Sequence, residues 1–156
     1  MSENNKLVFI VDDDPFYVEM MYHLLQKEGM HNILTFSSGV NCLEQIHLNP
    51  EIIFLDYQMD VYTGYEPLRK IKRYNPNAFV VMVSAQEDID IAVETLKHGA
   101  FDYIKKNENL EQKVDSVLKK IKVFDEIMKA KKPSFFKSIF KSVSYTHLTL
   151  PTNSLV

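Results

Sequence analysis

Five short apolar runs alternate with five helix-patterned stretches, and this alternation limits the fold more than any other feature of the chain. The strand-like runs lie near 6–11, 31–36, 51–55, 78–83 and 101–104; the helical patterns lie near 15–28, 38–48, 64–74, 87–98 and 109–130. The helical stretches carry apolar residues at three- and four-residue spacing, as in Val18, Met21, Leu24 and Leu25, or Val114, Val117, Leu118 and Ile121. Alternation of this kind implies right-handed βαβ units and a parallel sheet covered on both faces. The first, third and fourth runs are almost wholly apolar, which fits central strands buried on both sides. The expectation is an α/β chain with one doubly wound (βα)5 domain.

Local punctuation agrees with that reading. Asp14 and Pro15 read as an N-cap followed by proline at the first helical position. Gly29 and Gly99 follow helical runs, where a left-handed residue is wanted. Ser37 and Ser38 offer a cap for the second helix. Pro67 falls in the first turn of the third helix, where a missing N–H costs little, and Pro76 ends that helix before the fourth strand.

Composition adds exclusions. At 156 residues the chain suffices for one proper hydrophobic core, and its net charge of −3 argues against a general nucleic-acid surface. The single cysteine, Cys42, has no internal partner and sits in an apolar helical pattern with Leu43 and Ile46; a buried structural thiol in a reducing compartment is expected. The first residues lack a basic start and apolar core, and no apolar run approaches the ~18 residues of a membrane span. A cytoplasmic location is expected.

Chemistry gathers at the strand ends. Asp12 and Asp13 follow the first run, Asp56 the third, Ser84 the fourth and Lys106 the fifth. In a parallel α/β sheet the carboxyl ends of strands share one edge, and ligands bind in the crevice there. Three carboxylates, a hydroxyl and an ammonium are thus expected to converge, a set suited to a divalent cation and a phosphoryl group. Magnesium prefers a few carboxylates and retained waters, with a phosphate completing the shell. A carboxylate is also a competent phosphoryl acceptor. Without metal, at least one of three crowded carboxylates should have a raised pKa. Taken singly, each residue has a plainer reading: a strand-end serine or aspartate is usually a helix cap, as expected for Asp14, and a lone lysine is usually solvated. The joint pattern is what carries weight.

At these residues the chain resembles the receiver domain of bacterial response regulators. The matching stretches are 9–15, 53–59 through Gly64, 81–85 and 99–106, within a resemblance spanning about 6–122. The resemblance implies a flavodoxin-like five-stranded parallel sheet of order 2-1-3-4-5. It implies that Asp56 is the phosphorylated residue and that Mg2+ is held by Asp12, Asp13, Asp56 and the backbone carbonyl of Gln58. Ser84 and Lys106 would contact the phosphoryl group; counting from Gly99 and Tyr103 selects Lys106 over Lys105. Tyr103 matches an aromatic whose rotamer accompanies switching. A sensor histidine kinase or phosphotransfer protein would be the phosphodonor. An output partner, not specified by the sequence, would read the surface of the fourth helix, fifth strand and fifth helix; a phosphorylation-dependent dimer is compatible with that surface. The protein would then be a switch rather than an enzyme, catalysing only its own phosphoryl transfer and slow autodephosphorylation.

Two departures stand beside the site. Asp60 and Asn107 occupy positions where the family usually has proline, and they bear on rate and lifetime rather than on the reaction itself. The competing readings are a receiver-fold binding module that works without phosphorylation, a metal-dependent phosphohydrolase, and the truncated front of a longer regulator. By sequence, 1–125 is the receiver domain. Residues 126–142, with Phe135, Phe136, Ile139 and Phe140 among lysines, form a basic amphipathic extension or linker. Residues 143–156 resemble translated sequencing adapter and are expected to be non-native.

Overall fold

The structure is a computed structural model that describes residues 5–58, 65–85, 89–106 and 109–130. Asp60, Gly64, Asn107, residues 131–142 of the 126–142 extension and the 143–156 tail lie outside the described residues. The elements run β1 (Val8–Val11), α1 (Pro15–Lys27), β2 (Ile33–Phe36), α2 (Gly39–Glu44), a 3-10 turn (Ile46–Leu48), β3 (Ile52–Asp56), α3 (Glu66–Tyr74), β4 (Phe79–Ser84), α4 (Ile89–Lys97), β5 (Asp102–Lys105) and α5 (Leu110–Ala130). Residues up to Val117 fall in one compact unit, which includes the start of α5; the described residues 118–130, the rest of α5, fall in a second.

All strand pairings are parallel, in the order β2-β1-β3-β4-β5, so the expected topology is the one observed. Strands β1, β3 and β4 are the central three, as their apolar composition required. Because successive side chains of a strand point to opposite faces, each strand contributes to two cores. Phe9, Val11, Ile53, Leu55, Val80 and Met82 pack with Cys42, Leu68 and Ile71 of α2 and α3. Their alternates Val8, Ile10, Ile52, Phe54, Val81 and Val83 are equally buried, as are Met21 and Leu25 of α1 and Val114 and Val117 of α5. Burial pushes the Cys42 thiol up to about 12, as an inert structural cysteine requires.

The helix starts follow from their caps. The Asp14 side chain accepts the Phe16 N–H at 3.0 Å, with Pro15 in the first helical position. Ser38 accepts the Asn41 N–H at 3.1 Å and opens α2. One boundary differs from the sequence reading. The stretch 38–48 is not a single helix: Gln45 leaves α geometry (φ −108°, ψ 9°), a 3-10 turn follows, and Asn49 closes it in the left-handed region at φ 58°. An asparagine tolerates that conformation better than most residues, and Pro50 beyond it could not have continued the helix. No described helix is long and apolar enough to cross a membrane.

Gly99 ends the α4 region with φ +106°, and a Cβ placed there would lie 3.2 Å from Lys72 Cγ. Lys72 cannot give way freely. Its ammonium donates to the carbonyls of Pro76 (2.7 Å) and Ala78 (2.8 Å), closing the turn before β4. A Gly99→Ala substitution is therefore expected to destabilise by about 2 kcal/mol, from backbone strain and crowding. Thermal unfolding should shift down by about 5–10 °C; an unchanged midpoint would contradict this account.

Candidate functional site

The site lies where the strand order reverses between β1 and β3, at the carboxyl edge of the sheet. Register explains who meets whom. Val11 pairs with Leu55, so Asp12 and Asp56, the next residues on neighbouring strands, emerge side by side. Asp56 pairs with Val83 and Ser84 with Lys105, which carries β4 and β5 to the same edge.

The structure brings Asp12, Asp13 and Asp56 together: one carboxylate oxygen from each lies within 4.8 Å of the others. Asp12 and Asp56 are 6% and 5% exposed, whereas Asp13 is exposed and forms the open side. Turn backbone fixes the two buried carboxylates. Asp12 Oδ1 accepts the Asp14 N–H at 2.9 Å, and Asp56 Oδ1 accepts the Gln58 N–H at 3.2 Å. Lys106, whose backbone N–H donates to the Ser84 carbonyl at 2.9 Å, turns its ammonium inward. The Nζ lies 2.8 Å from Asp12 Oδ2 and 3.5 Å from Asp56 Oδ2, with the side chain 8% exposed. Ser84 is fully buried as the last residue of β4. Tyr103, in β5 beside Met82, is half-buried and packs against the α2/α3 core; its N–H donates to Asp102 Oδ1 at 2.8 Å.

The electrostatics of the pocket follow from this crowding. Burial, and after it the charge of Asp12, push Asp56 up to about 7, against the opposing pulls of Lys106 and the Gln58 N–H. Burial alone would lower Lys106, but its hydrogen bond to Asp12 and the charges of Asp56 and Asp12 outweigh that and hold it above its ordinary value. Asp56 is thus the carboxylate that is raised, by burial first and by the neighbouring Asp12 charge second. The donor set suits a small hard dication: carboxylate oxygens held by turn N–H groups, one exposed side for water, and no soft ligand in the cluster.

Two features were not read from the sequence. Lys106 lies closer to Asp12 than to Asp56, and the ring of Tyr17 faces the ammonium, 4.4 Å from centroid to Nζ. The only hint in the sequence was position: Tyr17 is in the first turn of the helix that leaves the Asp12–Asp14 loop.

Comparison with known proteins gives one consistent answer. The sequence profile of the response regulator receiver domain matches residues 8–118. Over 152 residues the chain is 30% identical to the transcriptional regulatory protein ZraR of Escherichia coli O157:H7, a match covering 95% of this chain and 34% of that protein. It is 34% identical over 104 residues to a cyclic di-GMP phosphodiesterase of Thermotoga maritima, covering 67% of this chain and 28% of that one. The chain thus spans about a third or less of the length of these curated relatives. Among solved structures it is similar to the CheX–CheY–BeF3–Mg2+ complex from Borrelia burgdorferi, with TM-score 0.68, 28% identity, and coverage of 74% of this chain and 88% of that one. It also resembles the response regulator domain of Thermotoga maritima CheB, with TM-score 0.64, 28% identity, and coverage of 75% and 93%. With the strand order, the acidic cluster and the matched span all in agreement, this chain belongs to the response regulator receiver family.

Proposed function

We propose that the protein is a phosphorylation-dependent switch of a two-component system in which Asp56 accepts a phosphoryl group from a histidine kinase or phosphotransfer protein. The observation that carries this reading is the convergence of Asp12, Asp13 and Asp56 with the Lys106 ammonium 3.5 Å from Asp56 Oδ2. Asp12, Asp13, Asp56 and the Gln58 carbonyl would hold Mg2+, which when bound supplies the positive charge that lets ionised carboxylates and phosphoryl oxygens share the pocket. Beryllofluoride with magnesium, named in the similar Borrelia burgdorferi complex, is a phosphoryl-like ligand of that protein and supports the same chemistry here.

In the transfer, an Asp56 oxygen forms a bond to phosphorus while the bond from phosphorus to the donor imidazole nitrogen breaks. The imidazole leaves with that electron pair and takes up a proton. Lys106 stabilises the phosphoryl oxygens from inside the sheet edge, where fixed charge in a dry pocket acts strongly. Ser84 offers a hydroxyl from the end of β4, and Tyr103 follows it inward. That movement would bias the surface of α4 and β5, where Ile89, Val93 and Leu96 stand exposed for an output partner. The protein itself turns over no external substrate in this reading.

Incubation with a small phosphodonor such as acetyl phosphate and Mg2+ is expected to label the protein with one acyl phosphate, cleaved by hydroxylamine and detected as a mass increase. Chelating the metal should suppress labelling by at least about a hundredfold, since the crowded charges then lack their main compensation. Equal labelling with and without chelator would remove the metal from the mechanism.

A further inference from the structure

We propose that Tyr17 is a positioning residue for phosphoryl transfer, its ring face holding the Lys106 ammonium against the acceptor; this rests on the reading of Asp56 as phosphoacceptor. The ammonium touches three groups: Asp12 Oδ2 at 2.8 Å, Asp56 Oδ2 at 3.5 Å and the Tyr17 ring at 4.4 Å to its centroid. The two carboxylates are also candidate metal ligands, so in the loaded site they do not belong to the lysine alone. The ring is the one contact of the three that a metal or phosphoryl group leaves untouched. Tyr17 also shares a small cavity with Asp12, Met21, Phe54, Asp56 and Val83, so it stands beside both buried carboxylates on the α1 side.

Lys106 has somewhere else to go. Its other side borders an open cleft of about 770 Å³, lined by Met20, Leu24, Asn109, Glu111 and Lys113. Glu111, already paired with Lys27 at 2.6 Å, is an alternative anion along that wall. A long side chain with four rotatable bonds samples such space unless something favours one placement. A ring face over a desolvated ammonium does so through its quadrupole, with no hydrogen bond to be competed away. Since the ammonium already sits within contact distance of Asp56, the ring favours a productive placement, not a stored one.

The test compares Tyr17→Leu and Tyr17→Met, which lack a ring face, with Tyr17→Phe, which keeps it. With acetyl phosphate and Mg2+, the two ringless variants are expected to label about tenfold more slowly at saturating donor, with the half-saturating concentration unchanged; Tyr17→Phe stays within about twofold of wild type. In proton NMR, the Lys106 ε-methylene signals are shifted upfield by the ring in wild type and Tyr17→Phe, and return toward ordinary lysine positions in the ringless variants. Wild-type rates in both ringless variants, or a Tyr17→Phe protein as slow as Tyr17→Leu, would overturn the positioning role while leaving the acceptor assignment standing. A wild-type protein that takes no label overturns both.

Discussion

The Asp56→Asn protein is expected to take up no phosphoryl label from acetyl phosphate and Mg2+, and to be more stable than the wild type when metal is absent. Loss of labelling follows because the amide has no anionic oxygen to attack phosphorus, and neither Asp12 nor Asp13 replaces it: Asp12 is bound to Lys106 and the Asp14 N–H, and Asp13 stands at the exposed rim. Label persisting in the variant would falsify the assignment of Asp56.

The gain in stability follows from linkage. Burial and the Asp12 charge raise Asp56 to about 7 in the folded protein, whereas an unfolded aspartate titrates near ~4. Between those values the folded state binds the extra proton. The protonated carboxyl's contribution is therefore fully present below about pH 4 and is lost as pH rises through about 7. In chelator, wild-type stability should fall between pH 5 and pH 8 by on the order of 3 kcal/mol, and the Asn variant should not show that fall. Mg2+ should remove most of the difference by binding the folded state alone. Urea unfolding across this pH range, with and without metal, measures all three.

Replacing Lys106 with Met is expected to slow labelling by about 10²–10³, the usual loss when one preorganised charge facing a transition state is removed. Lys106→Arg should recover little of it. A planar guanidinium cannot fill the place of a compact ammonium lying 2.8 Å from Asp12, 3.5 Å from Asp56 and under the Tyr17 ring. Single-turnover labelling with far-ultraviolet circular dichroism as the folding control decides the matter, and a Met variant within tenfold of wild type would deny Lys106 its electrostatic role.

Much of this molecule was legible because its signals are periodic or local. Strands β1, β3 and β4 announced themselves as unbroken apolar runs, and Asp14, Ser38, Gly29 and Gly99 mark turns through their own side-chain or backbone chemistry. The convergence of Asp12, Asp13, Asp56 and Lys106 was legible too, because a parallel sheet sends every strand end to one edge. Other features were not. The break in α2 at Gln45 depends on a short helix meeting Asn49 and Pro50, where pattern matching sees one apolar stripe. The pairing of Lys106 with Asp12 in preference to Asp56, and the approach of Tyr17, depend on side-chain placements set where α1, β3 and the ends of β1 and β5 meet. No spacing in the sequence encodes those choices.

The strand order also has a consequence for synthesis. The pocket draws on Asp12 near the start of the domain and on Lys106 near its end, with Asp56 on the central strand between them. A chain emerging from the ribosome would hold the proposed acceptor before it holds the ammonium proposed to stabilise transfer. In the proposed reading, nascent and misfolded copies would be poor substrates for a phosphodonor, and an acyl phosphate would mark a finished domain. Phosphorylation would then depend on completed folding through the winding of the sheet itself.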